Sequence, residues 1–335
     1  MSLSDNFLII ETFLLGDLLY LGPLLGSIRA AYPYSRIEVL ASDVTQGFPF
    51  FEQFKVSLHH FNFPWSHIGW HKQPFKLIQT AFVLRKNFGR RFQDYVILDP
   101  RGDFRHALVA HILGYRKFIQ YRSNAKFSDA CRGVYRHHTF TCRQEFLCQI
   151  GEECGLSFKS TLPWPWLMNF KQKPHEKERL VLLAPEASNH LRHWKSERWK
   201  VLASRLHQKG WHTILIVHRG DAVSEIGSDD FGRVWKGSLA DLGRLVMSSQ
   251  TVIAVDSFCG HLAAAMGIPV VSLFGTQLPE RWRPWGNKTA VVVADGYPCR
   301  PCDQKHCVHP DGNCMDAIQV EQVLQAFQKL VDDQE

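Results

Sequence analysis

Val255–Gly275 reads V-D-S-F-C-G-H-L-A-A-A-M-G-I-P-V-V-S-L-F-G. An apolar strand, Thr251–Val255, ends at Asp256-Ser257, a helix is expected over Gly260–Met266, and a second apolar strand follows at Val270–Phe274. Strand, short turn, helix and strand in that order make a βαβ unit with parallel strands. The helix start supplies amides and a positive dipole end, so the turn suits an anion. Ser257 adds a hydroxyl, and His261 lies in the first helical turn. The same residues would also serve as a plain N-cap, at Asp256 or Ser257, above a core histidine.

The alternation extends in both directions. Leu180–Ala184, His212–Val217 and Thr251–Val255 read as strands, with helices at Ser196–Lys209 and Leu239–Ser248. Near the start, Phe7–Glu11 reads as a buried strand, Leu15-Gly16-Asp17 as a loop, Leu18–Tyr32 as a helix and Arg36–Ala41 as the next strand. Tyr95–Asp99, a helix over Phe104–Leu113 and a strand over Lys117–Tyr121 continue the series. Residues 166–179 are polar and charged after a Pro/Trp-rich run, and read as a linker. The expected organisation is α/β, with a Rossmann-like domain over 1–165, a second over 180–315 that includes a Cys-rich loop at 296–315, and a C-terminal helix over 316–335. Two such domains face each other across a cleft in this reading, with ligands beyond the strand ends that carry Asp17, Asp99, Glu186 and Asp256.

A chain of 335 residues, 45% hydrophobic and 21% charged, is long enough for two cored domains and too apolar for general disorder. Its net charge of +7 is uneven. Residues 1–165 hold 19 Lys/Arg against 13 Asp/Glu, and Arg85–Arg143 alone holds 13 against 4. That stretch suits an anionic partner or is a solvated basic face. Nucleic acid is disfavoured, because no recognised binding motif accompanies the charge. Met1–Ile10 lacks a basic n-region, and Glu11 and Asp17 interrupt the apolar run, so no secretory signal is read and a cytoplasmic location is expected. Four of the nine cysteines cluster as Cys299-x2-Cys302-x4-Cys307-x6-Cys314, with His306 and His309 among them. Four thiolates at such spacing suit a structural zinc or iron site, or simply pack a small loop in reduced form.

Taken together, Asp256-Ser257, His261 through Pro269 and Leu273-Phe274-Gly275 resemble glycosyltransferase family 9, the bacterial lipopolysaccharide heptosyltransferases. Leu15-Gly16-Asp17 with Pro23-Leu24-Leu25, Ala184-Pro185 with Ala187-Ser188 and Arg192-His193-Trp194, and Gly237 through Leu242 extend the resemblance along nearly the whole chain. It implies a GT-B fold and an inverting transfer of heptose from ADP-L-glycero-D-manno-heptose to the lipopolysaccharide inner core. No cofactor or divalent cation is implied at the reaction centre. Asp17 matches the family's catalytic base, although a helix N-cap would explain it too. Arg192, where the family usually has Lys, is implied as the second catalytic residue. Ser188, Asp256, Ser257 and His261 match the nucleotide and diphosphate contacts. Asp221 or Glu225 is the candidate for the ribose.

The N-terminal domain is implied to bind an anionic lipopolysaccharide core at the inner membrane surface, which suggests peripheral association there. Arg101, Arg105, Arg122 and Arg143 are the acceptor candidates. Relatives of the family that glycosylate autotransporter proteins carry iron in a Cys-rich tail, which bears on Cys299, Cys302, Cys307 and Cys314. Three departures stand out: Glu11 in place of a basic residue, Phe258 in place of Gly, and Gln277 in place of an acid. They keep open a protein heptosyltransferase, a member using another nucleotide sugar, and a non-catalytic binding protein of the same fold.

Overall fold

The computed structural model describes residues 5–66, 75–120, 147, 150–156, 167, 179–217, 234–302, 306–309 and 312–332. These divide into two compact units, the first ending at residue 156 and the second beginning at 167. Apart from Leu167 and Arg179, the expected linker lies outside the described residues.

The first unit is a five-stranded parallel sheet. Its strands are β1 (Asn6–Glu11), β2 (Ile37–Ser42), β3 (Val56–Phe61), β4 (Tyr95–Asp99) and β5 (Lys117–Gln120), in the order β3-β2-β1-β4-β5. Phe7 to Ile10 are fully buried, as an inner strand covered on both faces demands. Between β1 and β2 the single expected helix is two, α1 (Leu15–Leu19) and α2 (Gly22–Ala31). Pro23 explains the break: it has no N–H to extend the preceding turn, and it fits the first turn of a new helix. Helices α3 (Phe75–Phe88) and α4 (Phe104–Leu113) make the crossovers to β4 and β5. Strand β3 and α3 carry weaker sequence signals than their neighbours. Five of the six β3 residues are only half-buried, and Ser57 is exposed.

The second unit is a six-stranded sheet in the order β11-β10-β9-β6-β7-β8. Its strands are β6 (Leu180–Ala184), β7 (His212–Ile216), β8 (Val234–Trp235), β9 (Thr251–Val255), β10 (Val270–Phe274) and β11 (Thr289–Val293), all paired in parallel. Helices α5 (Ser196–Gln208), α6 (Leu239–Ser248), α7 (Phe258–Ala265), α8 (Pro279–Trp282) and α9 (Val320–Asp332) connect or flank them. Helix α6 begins at a capping box in which Ser238 and Asp241 satisfy each other's backbone amides. The small face of α7, Ala263 to Ala265, is buried and lets the helix lie close to the sheet. Phe327 of α9 meets Trp211 edge-on at 5.0 Å within the same core. No helix among the described residues is long and apolar enough to cross a membrane.

Gly275, just past β10, is a close-approach position. A Cβ there would stand 2.5 Å from Met315 Sδ and 2.9 Å from Cys314 Sγ. Gly275→Ala should therefore overpack the turn and cost ~1–3 kcal/mol. Urea unfolding checks this: a variant as stable as the parent would contradict the packing described.

Candidate functional site

Each sheet changes winding direction once, and the conspicuous polar groups gather there. In the first unit the chain moves outward from β1 through β2 to β3, then returns to β4 on the other side of β1. The loops after β1 and β4 therefore border one crevice at the strand C-terminal ends, where ligands bind in sheets of this kind. In the second unit the reversal separates β6 from β9. The loops after them carry Ser188, Arg192, Asp256 and Ser257.

Asp17 is the third residue of α1 and not its N-cap. Its Oδ2 accepts the Leu14 amide at 3.2 Å, and its Oδ1 accepts Arg101 Nη1 at 2.8 Å. Arg101 comes from the loop after β4, so this ion pair spans the switch point. The guanidinium also stands 3.7 Å from Glu11 Oε1 and 3.8 Å from the centre of the Phe13 ring. Burial works against the charge on Arg101, but Asp17 first and then Glu11 and Asp103 raise its pKa beyond the ordinary value. It is a fixed cation. Arg105 turns back onto Asp103, the N-cap of α4, and pairs with both carboxylate oxygens. Burial is outweighed there by the Arg105 hydrogen bonds, and Asp103 falls to about 2. Arg122 and Arg143 lie outside the described residues, as do Asp221 and Glu225.

Beneath this loop lies a buried polar chain that sequence reasoning missed. His106 Nδ1 is 2.8 Å from Asp99 Oδ1, and His106 Nε2 is 2.8 Å from Thr12 Oγ1. Trp65 Nε1 donates to the same hydroxyl at 2.8 Å, and Gln120 donates to Asp99 Oδ2 at 2.8 Å. Asp99 also accepts the Arg101 amide at 3.0 Å, and through His106 it is linked to Thr12 in the loop after β1. Thr12, Asp99 and His106 are fully buried. A histidine seven residues after a strand-terminal aspartate, on a largely apolar helix, was the available signal.

In the second unit, Arg192 Nη1 donates to the Asp256 carbonyl at 3.2 Å and to its Oδ2 at 3.4 Å. Arg192 Nη2 reaches Ser188 Oγ at 3.5 Å. Three expected contact residues are thus brought together. Ser257 is the N-cap of α7 but makes no side-chain capping bond. Its Oγ is buried with no hydrogen-bond partner among the described residues. A hydroxyl in that condition at a helix N-terminus is chemically suited to an anion. His261 lies one turn into the same helix. Burial pushes the neighbouring Cys259 thiol up to about 12, with the Glu186 carboxylate adding to the rise, so it is no nucleophile.

Cys299, Cys302, Cys307 and Cys314 line one cavity of about 390 Å³ together with His306 and His309. Cys299 Sγ stands 3.4 Å from His309 Nε2. Burial, and then Cys299, Cys302 and Cys307, push the Cys314 thiol up to about 11. Thiols and imidazoles are the donor types of a soft metal. Among the described residues, no three such donors are arranged to hold an ion.

The two parallel sheets and their switch-point loops define a chain of the GT-B class. The structure of E. coli heptosyltransferase WaaC with ADP matches it with a TM-score of 0.70 at 18% identity, over 97% of this chain and 99% of that one. The iron-containing dodecameric glycosyltransferase TibC of enterotoxigenic E. coli matches with a TM-score of 0.62 at 16% identity, over 100% of this chain and 79% of that one. In sequence, residues 166–311 match the model of glycosyltransferase family 9 (heptosyltransferase). Lipopolysaccharide heptosyltransferase 1 of Pseudomonas aeruginosa is 30% identical over 125 residues, 35% of this chain. Lipopolysaccharide heptosyltransferase 3 of E. coli K12 is 27% identical over 166 residues, 46% of this chain. These alignments span 34% and 47% of the two relatives' lengths. The likeness to glycosyltransferase family 9 thus lies in residues 166–311.

His106 gives a pH-dependent check on the buried chain. Burial lowers its pKa, but Asp99 above all carries it higher than the ordinary 6.5. A raised folded-state value stabilises fully below the unfolded pKa and loses that contribution as pH rises through the folded one. The unfolding free energy of the wild type relative to His106→Gln should therefore be largest below pH 6.5 and shrink at alkaline pH. A difference that is flat or grows with pH would contradict the pairing.

Proposed function

We propose that this chain is an inverting heptosyltransferase that moves heptose from ADP-L-glycero-D-manno-heptose to an inner-core lipopolysaccharide acceptor. The observation that carries the reading is Asp17 at the β1/β4 switch point, held by Arg101 on one oxygen and by a backbone amide on the other. A carboxylate oxygen can accept more than one hydrogen bond, so being held in this way does not bar an acceptor hydroxyl. In direct displacement Asp17 takes the hydroxyl proton as that oxygen attacks the anomeric carbon, and the carbon–oxygen bond to the diphosphate breaks. Arg101 orients the carboxylate, and Glu11 Oε1 stands 3.7 Å from the same guanidinium.

The leaving diphosphate gains negative charge as its bond breaks. Arg192, the unpartnered Ser257 hydroxyl, His261 and the α7 amides are the groups that meet it, and fixed donors of this kind supply much of the stabilisation in such a step. The guanidinium of Arg192 presents a planar fork suited to two phosphate oxygens. Arg101, Arg105, Arg122 and Arg143 make up the acceptor set in this reading. The family match over 166–311 and the lipopolysaccharide heptosyltransferases it resembles support the donor and acceptor classes. Asp17→Asn should fold normally and lower the transfer rate by ~10²–10⁴-fold with ADP binding retained. Transfer at the parental rate would refute Asp17 as the base.

A structural zinc or iron held by Cys299, Cys302, Cys307 and Cys314 is the second part of this reading. The convergence of the four thiols on one cavity supports it. Such an ion would fix the loop and take no part in the transfer. Elemental analysis of the purified chain should find close to stoichiometric metal that is lost in Cys299→Ser/Cys302→Ser. Metal-free wild type with unchanged stability would contradict it.

A further inference from the structure

Helix α3 turns an apolar face outward. Phe75 is 83% exposed, Ile78 70% and Phe82 70%, and their spacing of three and four puts them on one side. Thr80 and Leu84, on the opposite side, are buried. A surface helix normally reserves its outer face for polar residues, so three large apolar side chains in line need a partner. Lys86 lies four residues past Phe82 and continues the same face as a cation. Lys76, Arg85, Lys86, Arg90 and Arg91 are all exposed, and residues 75–93 contain no Asp or Glu.

The placement of the stripe is informative. The crossovers β3-α3-β4 and β4-α4-β5 run in the same direction across the sheet, so right-handed connections put α3 and α4 on one face. Arg85 Nη1 donates to the Ile112 carbonyl at 2.9 Å, which joins the C-terminal ends of the two helices. Their N-termini therefore lie together at the strand C-terminal edge, the edge of Asp17 and Arg101. Phe104 and Leu108 of α4, 47% and 46% exposed, add apolar surface at that edge.

We propose that this face of α3 docks the protein on an anionic phospholipid bilayer. The apolar end enters the headgroup–acyl boundary, and the cationic end and flanks meet lipid phosphates. Apolar burial with electrostatic attraction is how interfacial helices hold to membranes. Arg91 is paired with Glu38 at 2.8 Å and Arg85 is turned onto backbone carbonyls, but a symmetric contact with a second copy would still bring Lys76 and Lys86 against their own copies, which disfavours self-association through this face. Only the purpose of the docking, presenting a membrane-held glycolipid to the Asp17 edge, rests on the proposed function. The docking itself does not.

Flotation of the full chain with phosphatidylglycerol/phosphatidylcholine vesicles tests the proposal. The wild type should float with anionic vesicles at low salt, and less at high salt or with pure phosphatidylcholine. Phe75→Ser/Ile78→Ser/Phe82→Ser should lower partitioning about tenfold or more, and Lys76→Glu/Lys86→Glu should abolish its dependence on anionic lipid. Both variants should keep the parental Tm and the parental rate on a soluble, delipidated acceptor. Wild type that stays unbound, or a triple variant that floats as the wild type does, would overturn the proposal. So would a dimer in solution that the triple variant disperses, because the stripe would then be a protein interface. Vesicle binding without any transfer would leave the docking standing and sink the proposed activity instead.

Discussion

The reversal of winding in each sheet is the constraint on which the rest of the molecule depends. A parallel sheet that grows in one direction covers its strand ends with successive connections. Where growth reverses, two neighbouring loops diverge and leave a crevice. The first unit reverses between β1 and β4, and the second between β6 and β9. At each reversal an arginine from one loop crosses to an aspartate on the other, Arg101 to Asp17 and Arg192 to Asp256. The crevice follows from topology, whereas its charge is set by those few residues.

The two pairs differ in how firmly they are held. Arg101 is gripped by Asp17, Glu11 and the Phe13 ring, and its loop is anchored through Asp99 to His106, Thr12 and Trp65. Such a site is preorganised and keeps a carboxylate in one orientation. Glu11 stands where the family pattern has a basic residue, and here the cation arrives from the neighbouring loop instead. Arg192 makes longer contacts, 3.2 to 3.5 Å, beside the unsatisfied Ser257 hydroxyl. That arrangement is looser than the grip on Arg101.

Much of this was legible in the sequence because buried parallel strands are short, continuous and apolar. Tyr95–Asp99, Leu180–Ala184, Thr251–Val255 and Val270–Phe274 are found at the residues expected. The two-residue β8 and the half-buried β3 escaped, since neither apolar runs nor strict alternation marks them, and β11 was passed over although Ala290–Val293 is an apolar run. The helix expected over Leu18–Tyr32 divides at Gly22-Pro23, where the local rule for proline outweighs the longer apolar pattern. Asp17, Ser188, Arg192, Asp256 and Ser257 were singled out as candidates through motif position. The partnership of Asp17 with Arg101 was not, because 84 residues separate them and only the pairing of β1 with β4 brings them together. His106 read as one more helix residue for the same reason.

The central claim is that the two switch points divide the chemistry, with the nucleotide at Arg192 and Ser257 and the acceptor proton at Asp17. Calorimetric titration of ADP into Arg192→Ala and into Arg101→Ala tests this most directly. The account predicts weaker ADP binding by tenfold or more, about 1.4 kcal/mol, in Arg192→Ala and parental affinity in Arg101→Ala. Parental affinity in Arg192→Ala, with the loss appearing in Arg101→Ala, would contradict it.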